Sequence, residues 1–154
     1  MRFANRRPKP SGLAFVVLLT TAFVALGGCS KPAKINGIEA PSAVDAQAAA
    51  RKLIERVLAD YVAAGETDPI GFLARRDDVD SVVVSTLQHT MSLDPRDPIR
   101  CDAKSVHDYR FEKATPVSST RWNVGVLDAA NHRDSYTVEF GTDGKWRLAD
   151  INCT

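Results

Sequence analysis

The spacing of apolar residues changes once along this chain, and that change constrains the fold more than any other feature. Between residues 42 and 91, apolar side chains recur every three or four residues, which is the period of an amphipathic helix. From residue 106 onward they alternate with polar side chains, which is the period of a half-buried strand. A chain in which helices precede strands is typical of the α+β class.

The first helix is predicted over residues 42–64. Ser42 and Asp45 have the spacing of an N-terminal cap, and Gly65 is placed to end the helix. The residues expected to face the core are Ile54, Val57, Leu58, Tyr61 and Val62. The opposite face is charged, with pairs of opposite sign four residues apart, and contains Arg51, Glu55, Arg56 and Asp60. The helix therefore buries one side only.

A second, shorter helix is predicted in the segment 79–92. The apolar residues with helical spacing there are Val79, Val82, Val83, Leu87 and Met91. The segment before it, 68–78, favours a short helical or irregular turn. Residues 93–101 contain two prolines and predict a loop that crosses toward the strands.

Four strands are predicted in the last third of the chain. Their alternating residues are His107, Tyr109 and Phe111, then Trp122, Val124 and Val126, then Tyr136, Val138 and Phe140, and finally Trp146 and Leu148. Short connections, including an Asp-Gly turn at 143–144, favour an antiparallel meander. We therefore predict a single α+β domain over residues 42–154, in which the N-terminal helix and the shorter one pack on a curved four-stranded antiparallel sheet.

The first 28 residues have the pattern of a secretory signal. Residues 1–12 are positively charged, and residues 13–26 contain no charged side chain. A helix over that apolar run would rise about 21 Å, which is short of a hydrocarbon core of about 30 Å. A signal peptide over residues 1–28 is therefore favoured over an uncleaved membrane anchor.

Residues 26–29, Leu-Gly-Gly-Cys, resemble the lipobox of bacterial lipoproteins, in which an apolar residue and two small ones precede the lipidated cysteine. The resemblance implies cleavage before Cys29, acylation of Cys29 with chains such as palmitate, and stable membrane anchoring. Ser30 follows Cys29. By the sorting rule of enteric bacteria, an Asp at this position resembles an inner-membrane address, whereas serine resembles an outer-membrane address. The expected location is thus the bacterial envelope, where the protein faces the periplasm at the outer membrane. Residues 29–41 are expected to form the lipidated cysteine and a flexible tether.

The charge of the chain bears on the class of partner, and its cysteine content bears on disulfide formation. The formal net charge of +1 includes four cations and no acid from residues 1–28, so the remainder is mildly acidic. Such a chain has no basic footprint for nucleic acid. Cys101 and Cys153 remain as an even pair in an oxidising compartment, and they predict one structural disulfide because a redox pair more often has C-x-x-C spacing.

Patterns that would indicate catalysis or metal binding do not occur in the sequence. The three histidines, which lack the spacing of metal ligands, are His89, His107 and His132. The acids at 94, 97 and 102 lack the glycine and distal glutamate of a calcium loop. Serines lie outside any nucleophile-elbow pattern. We therefore predict neither an enzyme nor a metal or other cofactor.

Four segments together resemble the YbjP-like bacterial lipoproteins, which carry a small domain of cystatin-like or nuclear-transport-factor-like α+β fold. They are LADYVAAG at 58–65, DPRDPIRCD at 94–102, WNVGVLD at 122–128 and DGKWRLADINC at 143–153. The resemblance implies this fold and an envelope location. It implies no mechanism, because no catalytic residues are established in such lipoproteins.

The first functional hypothesis is a non-catalytic protein-binding module that is tied to the membrane through its lipid. The most specific form of this hypothesis is an immunity protein against a periplasmic toxin. The predicted contact residues lie in polar loops that are expected to be exposed, and they are Arg121, Asn131, His132 and Arg133.

The alternative is a small-ligand or weakly enzymatic pocket that serves envelope maintenance. This pocket would lie between the helix and the sheet, lined by Tyr61, Tyr109, Phe111, Trp122 and Trp146. Aromatic residues at these spacings more often belong to the core.

Overall fold

A computed structural model of the chain describes residues 34–35, 37–65, 67–91, 96–101 and 109–154. The predicted signal peptide, Cys29 and His107 lie outside these residues. No helix in the described part of the chain is long and apolar enough to cross a membrane.

Helices occupy the first half of the described chain, and the main sheet occupies the second. The helices are α1 (Ala43–Ala64), α2 (Pro69–Ala74) and α3 (Ser81–Met91). The strands are β1 (Lys34–Ile35), β2 (Ile38–Glu39), β3 (Arg110–Phe111), β4 (Thr115–Pro116), β5 (Arg121–Leu127), β6 (Arg133–Phe140) and β7 (Trp146–Asn152). The predicted α+β class is confirmed.

Helix α1 begins and ends at the predicted signals. The Ser42 Oγ accepts a hydrogen bond from the Asp45 N–H at 3.2 Å, which caps the first turn. Gly65 ends the helix in the left-handed region, at φ +59°, where glycine carries no steric penalty. The residues that α1 buries are Ala46, Ala50, Leu53, Ile54, Val57, Leu58 and Tyr61, whereas the predicted Val62 is half-buried.

The charged face of α1 forms one of the two predicted ion pairs. Arg51 Nε lies 2.6 Å from Glu55 Oε1. One turn further on, Arg56 and Asp60 take partners outside the helix. These are Asp78 for Arg56, at 2.6 Å, and Arg76 for Asp60, at 2.8 Å. Both partners lie between α2 and α3, so these contacts tie α1 to the connection between the shorter helices.

Helix α3 confirms the second predicted helix, with a narrower buried face than its sequence indicated. Val83 and Leu87 are buried, whereas Val82 is 64% exposed. Val79 precedes the helix and forms an isolated parallel bridge with Leu148. The apolar residues of this segment therefore belong to two elements, because Val79 bridges to the edge strand β7 whereas the others lie in α3.

The main sheet is an open antiparallel meander with the strand order β3–β5–β6–β7. Of the predicted first strand, Phe111 lies in β3, and a further short strand that was not predicted, β4, pairs with a different stretch of β5. A register shift between Thr137 and Val138 marks a bulge in the β6–β7 ladder. The inner face, against which α1 packs, carries Trp122, Val124, Val126, Tyr136, Val138 and Leu148.

Strands β1 and β2 form a short hairpin whose turn contains Gly37, at φ +85°. This hairpin lies within residues 29–41, which we expected to form a flexible tether, so regular structure begins before Ser42. A Cβ atom at Gly144 would lie 3.7 Å from the Ile38 side chain. The hairpin therefore rests against the turn between β6 and β7.

The predicted disulfide between Cys101 and Cys153 is present, with 2.02 Å between the sulfur atoms and 5.1 Å between the Cα atoms. The bond joins the segment 96–101 to the residue that follows β7. Ile99 is fully buried, and its carbonyl accepts a 2.6 Å hydrogen bond from the Tyr136 hydroxyl on β6. Residues 96–101 therefore lie beneath the inner face.

Replacing both Cys101 and Cys153 with serine is expected to lower the free energy of unfolding by about 4 kcal/mol, because the bond closes a long loop in the unfolded chain. Urea denaturation of the oxidised protein and the double variant measures the difference. Reducing the wild-type protein should give the same loss, and equal midpoints for all three samples would contradict a stabilising role.

Candidate functional site

The four predicted contact residues lie at two ends of the β5–β6 hairpin. Arg121 begins β5 and lies opposite Glu139, to which it is ion-paired at 3.2 Å. Asn131 and His132 lie at the other end, in the turn that joins β5 to β6, and Arg133 follows them as the first residue of β6. At about 3.4 Å per residue, the strand separates the two groups by roughly 20 Å. The structure brings three of the four residues together and leaves Arg121 apart.

The 128–133 turn, which comprises residues 128 to 133, is closed by backbone hydrogen bonds. The Asp128 N–H donates to the His132 carbonyl at 3.1 Å, and the Asn131 N–H donates to the Asp128 carbonyl at 3.1 Å. Asn131 has φ +65°, a conformation in which asparagine is enriched among residues other than glycine. Asparagine at position 131 thus suits the backbone conformation of this turn.

Asp128 is the buried carboxylate that shapes this turn, with 5% of its surface exposed. Its Oδ1 accepts from the His132 N–H at 2.8 Å, and its Oδ2 lies 3.1 Å from His132 Nδ1. Burial acts to raise the pKa of Asp128, but hydrogen bonds from His132 and from the Ala130 N–H outweigh it and lower the pKa. A charged Asp128 therefore holds the His132 ring, which is 68% exposed, in one place.

Two arginines beside the turn are also held by neighbours. Arg133 Nε lies 2.7 Å from Glu112 Oε2, an ion pair that crosses β5. It passes over Gly125, where a Cβ atom would come within 2.1 Å of that carboxylate. Arg110 donates to the Asn131 side-chain oxygen. The guanidinium groups of Arg110 and Arg133 are thus oriented and exposed at the same sheet end.

Asp134 is a second buried carboxylate at this end, also 5% exposed. Its Oδ1 accepts from the Thr154 N–H at 3.3 Å, and the Thr154 hydroxyl donates to the Arg133 carbonyl at 2.7 Å. Burial raises the pKa of Asp134, the nearby Asp128 raises it further, and the Thr154 N–H partly opposes both. Thr154 is therefore bound by a carboxylate whose charged form is disfavoured by burial.

Among the residues that the structure describes, the exposed charge at this end is mainly positive. Two of its acids, Asp128 and Asp134, are covered by protein, and Glu112 is engaged with Arg133. The exposed basic and titratable side chains around the turn are Arg96, Arg110, His132 and Arg133. A surface with buried acids and exposed guanidinium groups attracts anionic partners.

The five aromatic residues predicted to line a pocket are distributed over three places. Tyr61 packs edge-on against Phe72, at 5.0 Å between ring centroids. Trp122 lies in the core, and Trp146 packs on Phe140 at the sheet end near the β1–β2 hairpin. These three aromatic side chains serve packing. The remaining two, Tyr109 and Phe111, line a cavity together.

This edge cavity lies between α1 and the edge strand β3 and has a volume of about 360 Å³. Its walls are apolar and consist of Leu58, Ala59, Val62, Ala63, Tyr109 and Phe111, with Glu55 at the margin. The α1 residues recur at helical spacing on a flank beside the main buried stripe. Leu58 and Val62 were expected to face the core, whereas Ala59 and Ala63 were not singled out, although two alanines four residues apart were a readable signal. The volume is within the range of small-ligand sites.

Within the described ranges, no group of three or more His, Cys, Asp or Glu side chains is placed to hold a metal ion.

Replacing Asp134 with asparagine is expected to stabilise the protein at neutral pH, because the native state then no longer contains a buried charge. The native pKa of Asp134 lies above its unfolded value, so the wild-type protein loses stability as pH rises through the native pKa. The variant lacks that decline, so its advantage grows between pH 3 and pH 7. Thermal unfolding across this range measures it. Asp150→Asn, at an exposed position on β7, is the matched control, and a parallel pair of profiles for Asp134→Asn and wild type would refute the assignment.

Comparison with known proteins does not add a family to this description. The chain matches no protein-family model, no curated protein and no solved structure. The 128–133 turn and the edge cavity are therefore the structural basis for the functional proposals below.

Proposed function

We propose that this protein is a lipid-anchored component of the bacterial envelope that faces the periplasm and binds another protein without catalysing a reaction. The lipobox-like residues 26–29 and the apolar run before them support the anchor. Ser30 supports the outer membrane as its site. The likeness of four segments to YbjP-like lipoproteins supports the same compartment, as does the disulfide.

The observation that carries protein binding is the rigidity and charge of the 128–133 turn. Asp128 holds the His132 ring, Glu112 holds the Arg133 guanidinium, and Thr154 bonds the Arg133 backbone carbonyl. Little conformational entropy therefore remains to be lost on binding. Arginine is also among the residues that contribute most to protein interfaces. A turn of this kind suits recognition of a partner with an acidic surface.

The place of the turn in the domain also supports this function. The described chain starts at Lys34 in the β1–β2 hairpin, which rests against the β6–β7 turn. The 128–133 turn is at the opposite end of the β5–β6 hairpin. A domain attached through the segment before Lys34 therefore has its recognition surface at the end away from the attachment point. The most specific form of this proposal is an immunity protein that neutralises a toxin entering the periplasm.

Alanine at both His132 and Arg133 is expected to weaken partner binding about 30-fold or more, the loss typical of hot-spot residues. The oxidised full-length protein first captures its partner from envelope extracts and from secreted fractions of neighbouring bacteria, and mass spectrometry identifies it. Calorimetry then compares the variants.

Arg121→Ala is the matched control, because Arg121 is an exposed, ion-paired arginine at the other end of the same hairpin. Binding weakened equally by both sets of variants, or by neither, would place the interface elsewhere. Unchanged thermal stability of the double variant shows that the fold is intact.

Cys29→Ser is expected to abolish lipid attachment, since the thiol is the proposed acceptor. Metabolic labelling with palmitate and separation of membrane from soluble fractions report the change. Label that persists in the serine variant, or wild-type protein that never takes up label, would overturn the anchor.

The edge cavity favours a second candidate function, small-ligand binding in envelope maintenance. Its apolar walls and its volume of about 360 Å³ suit a ligand and exceed what simple packing leaves open. This candidate is compatible with the first, because the edge cavity adjoins α1 and β3 whereas the recognition turn joins β5 to β6.

A further inference from the structure

The edge cavity has a size and a lining that restrict its ligand. At the roughly 30 Å³ that one water occupies in the liquid, the cavity holds about a dozen non-hydrogen atoms. Leu58, Val62 and the methyl groups of Ala59 and Ala63 offer an apolar bed on the helix side. The ligand body that fits is a short hydrocarbon or a comparable apolar group.

A cation of the protein itself already lies at the margin of this cavity. Arg51 Nε is 2.6 Å from Glu55 Oε1, and the Arg51 guanidinium carbon is 6.0 Å from the centre of the Phe111 ring. Glu55 and Phe111 both line the cavity. A carboxylate and an aromatic face that converge on one cation are the elements by which proteins recognise organic ammonium groups.

The ring walls extend this cation-binding environment into the cavity. The Tyr109 and Phe111 rings are 6.5 Å apart and tilted by 57°, so they form two sides of a corner. The other end of the cavity is formed by Val62 and Ala63, in the last turn of α1, which contains no basic residue. The partial negative charge of the helix C-terminus favours cations there. Both ends of the cavity are therefore suited to positive charge.

We propose that the edge cavity binds an amphiphilic organic cation, with its apolar chain along α1 and its ammonium group between Glu55 and the Phe111 ring. The ligand takes the place that the Arg51 guanidinium occupies in this structure. Arg51 is half-exposed, and an ion pair in that setting contributes little to stability, so its displacement opposes binding only weakly.

An amphiphilic anion is the competing ligand class, because its head group would pair with Arg51. The two classes predict opposite effects of one substitution. Removing the Arg51 charge strengthens binding of a cation, which no longer competes with a guanidinium, and weakens binding of an anion.

The test titrates the purified, oxidised protein with octyltrimethylammonium and with octanoate, which share an eight-carbon chain and differ in charge. Both are kept below the concentrations at which they form micelles. Calorimetry gives the affinity, and the alanine methyl resonances of residues 59 and 63 report whether the edge cavity is occupied. The cation is expected to bind more tightly than the anion and to shift both methyl resonances.

Three variants and one control complete the experiment. Arg51→Gln is expected to tighten cation binding, and Glu55→Gln to weaken it. Phe111→Leu, which keeps the apolar volume but removes the ring face, is expected to weaken it about tenfold. Lys52→Gln removes the neighbouring exposed charge outside the cavity lining and is expected to change the affinity by less than twofold.

Octanoate binding as tightly as the cation, weaker cation binding by Arg51→Gln, or unshifted resonances of Ala59 and Ala63 would each overturn the proposal. Ala63→Leu, which fills the cavity from the exposed side of α1, gives an independent check and is expected to abolish binding. None of these outcomes bears on the protein-binding turn, which is tested with its own variants.

Discussion

The packing of helix α1 across the inner face of the sheet is the interaction on which the rest of the structure depends. The helix contributes Leu53, Ile54, Val57 and Leu58 to one continuous core with the inner residues of β5, β6 and β7. Burial of this apolar surface is the main favourable term in folding such a domain. It also positions both sites, because the edge cavity is the flank of that contact and the 128–133 turn is the end of the hairpin it covers.

The segment 96–101 covers one end of the core between the helix layer and the sheet layer. Ile99 is inserted beneath β6, with its carbonyl bonded to Tyr136, and Asp97 accepts hydrogen bonds from Tyr61 and Arg100. The disulfide then joins this segment to the end of β7. These contacts surround the chain terminus, which in turn contacts the buried Asp134. The end of the domain proposed for recognition is thus held by a disulfide and by a hydrogen bond to a buried carboxylate.

The candidate sites were predictable from the sequence in part. Asn131, His132 and Arg133 were identified because polar residues between two alternating segments indicate a turn. The sequence did not reveal that Arg121 lies about 20 Å away, because strand length separates residues that share the same local character. The aromatic set failed as a pocket for a related reason. Period-two spacing shows that Trp122 faces inward, but inward residues fill the core before they line a cavity.

Local signals in the sequence determined where α1 begins and ends, the Asp-Gly turn of the last hairpin, the order of helices before strands, and the cysteine pair available for a disulfide. Each depends on a few adjacent residues or on a period, so a single sequence contains them. The tertiary structure alone decided that β3 and β4 both pair with β5, that Arg56 and Asp60 pair with residues beyond α2, that Asp128 and Asp134 are buried, and where a cavity remains. Those features depend on which surfaces meet across the chain, and the free energy of such contacts is set by packing and burial rather than by neighbours in sequence.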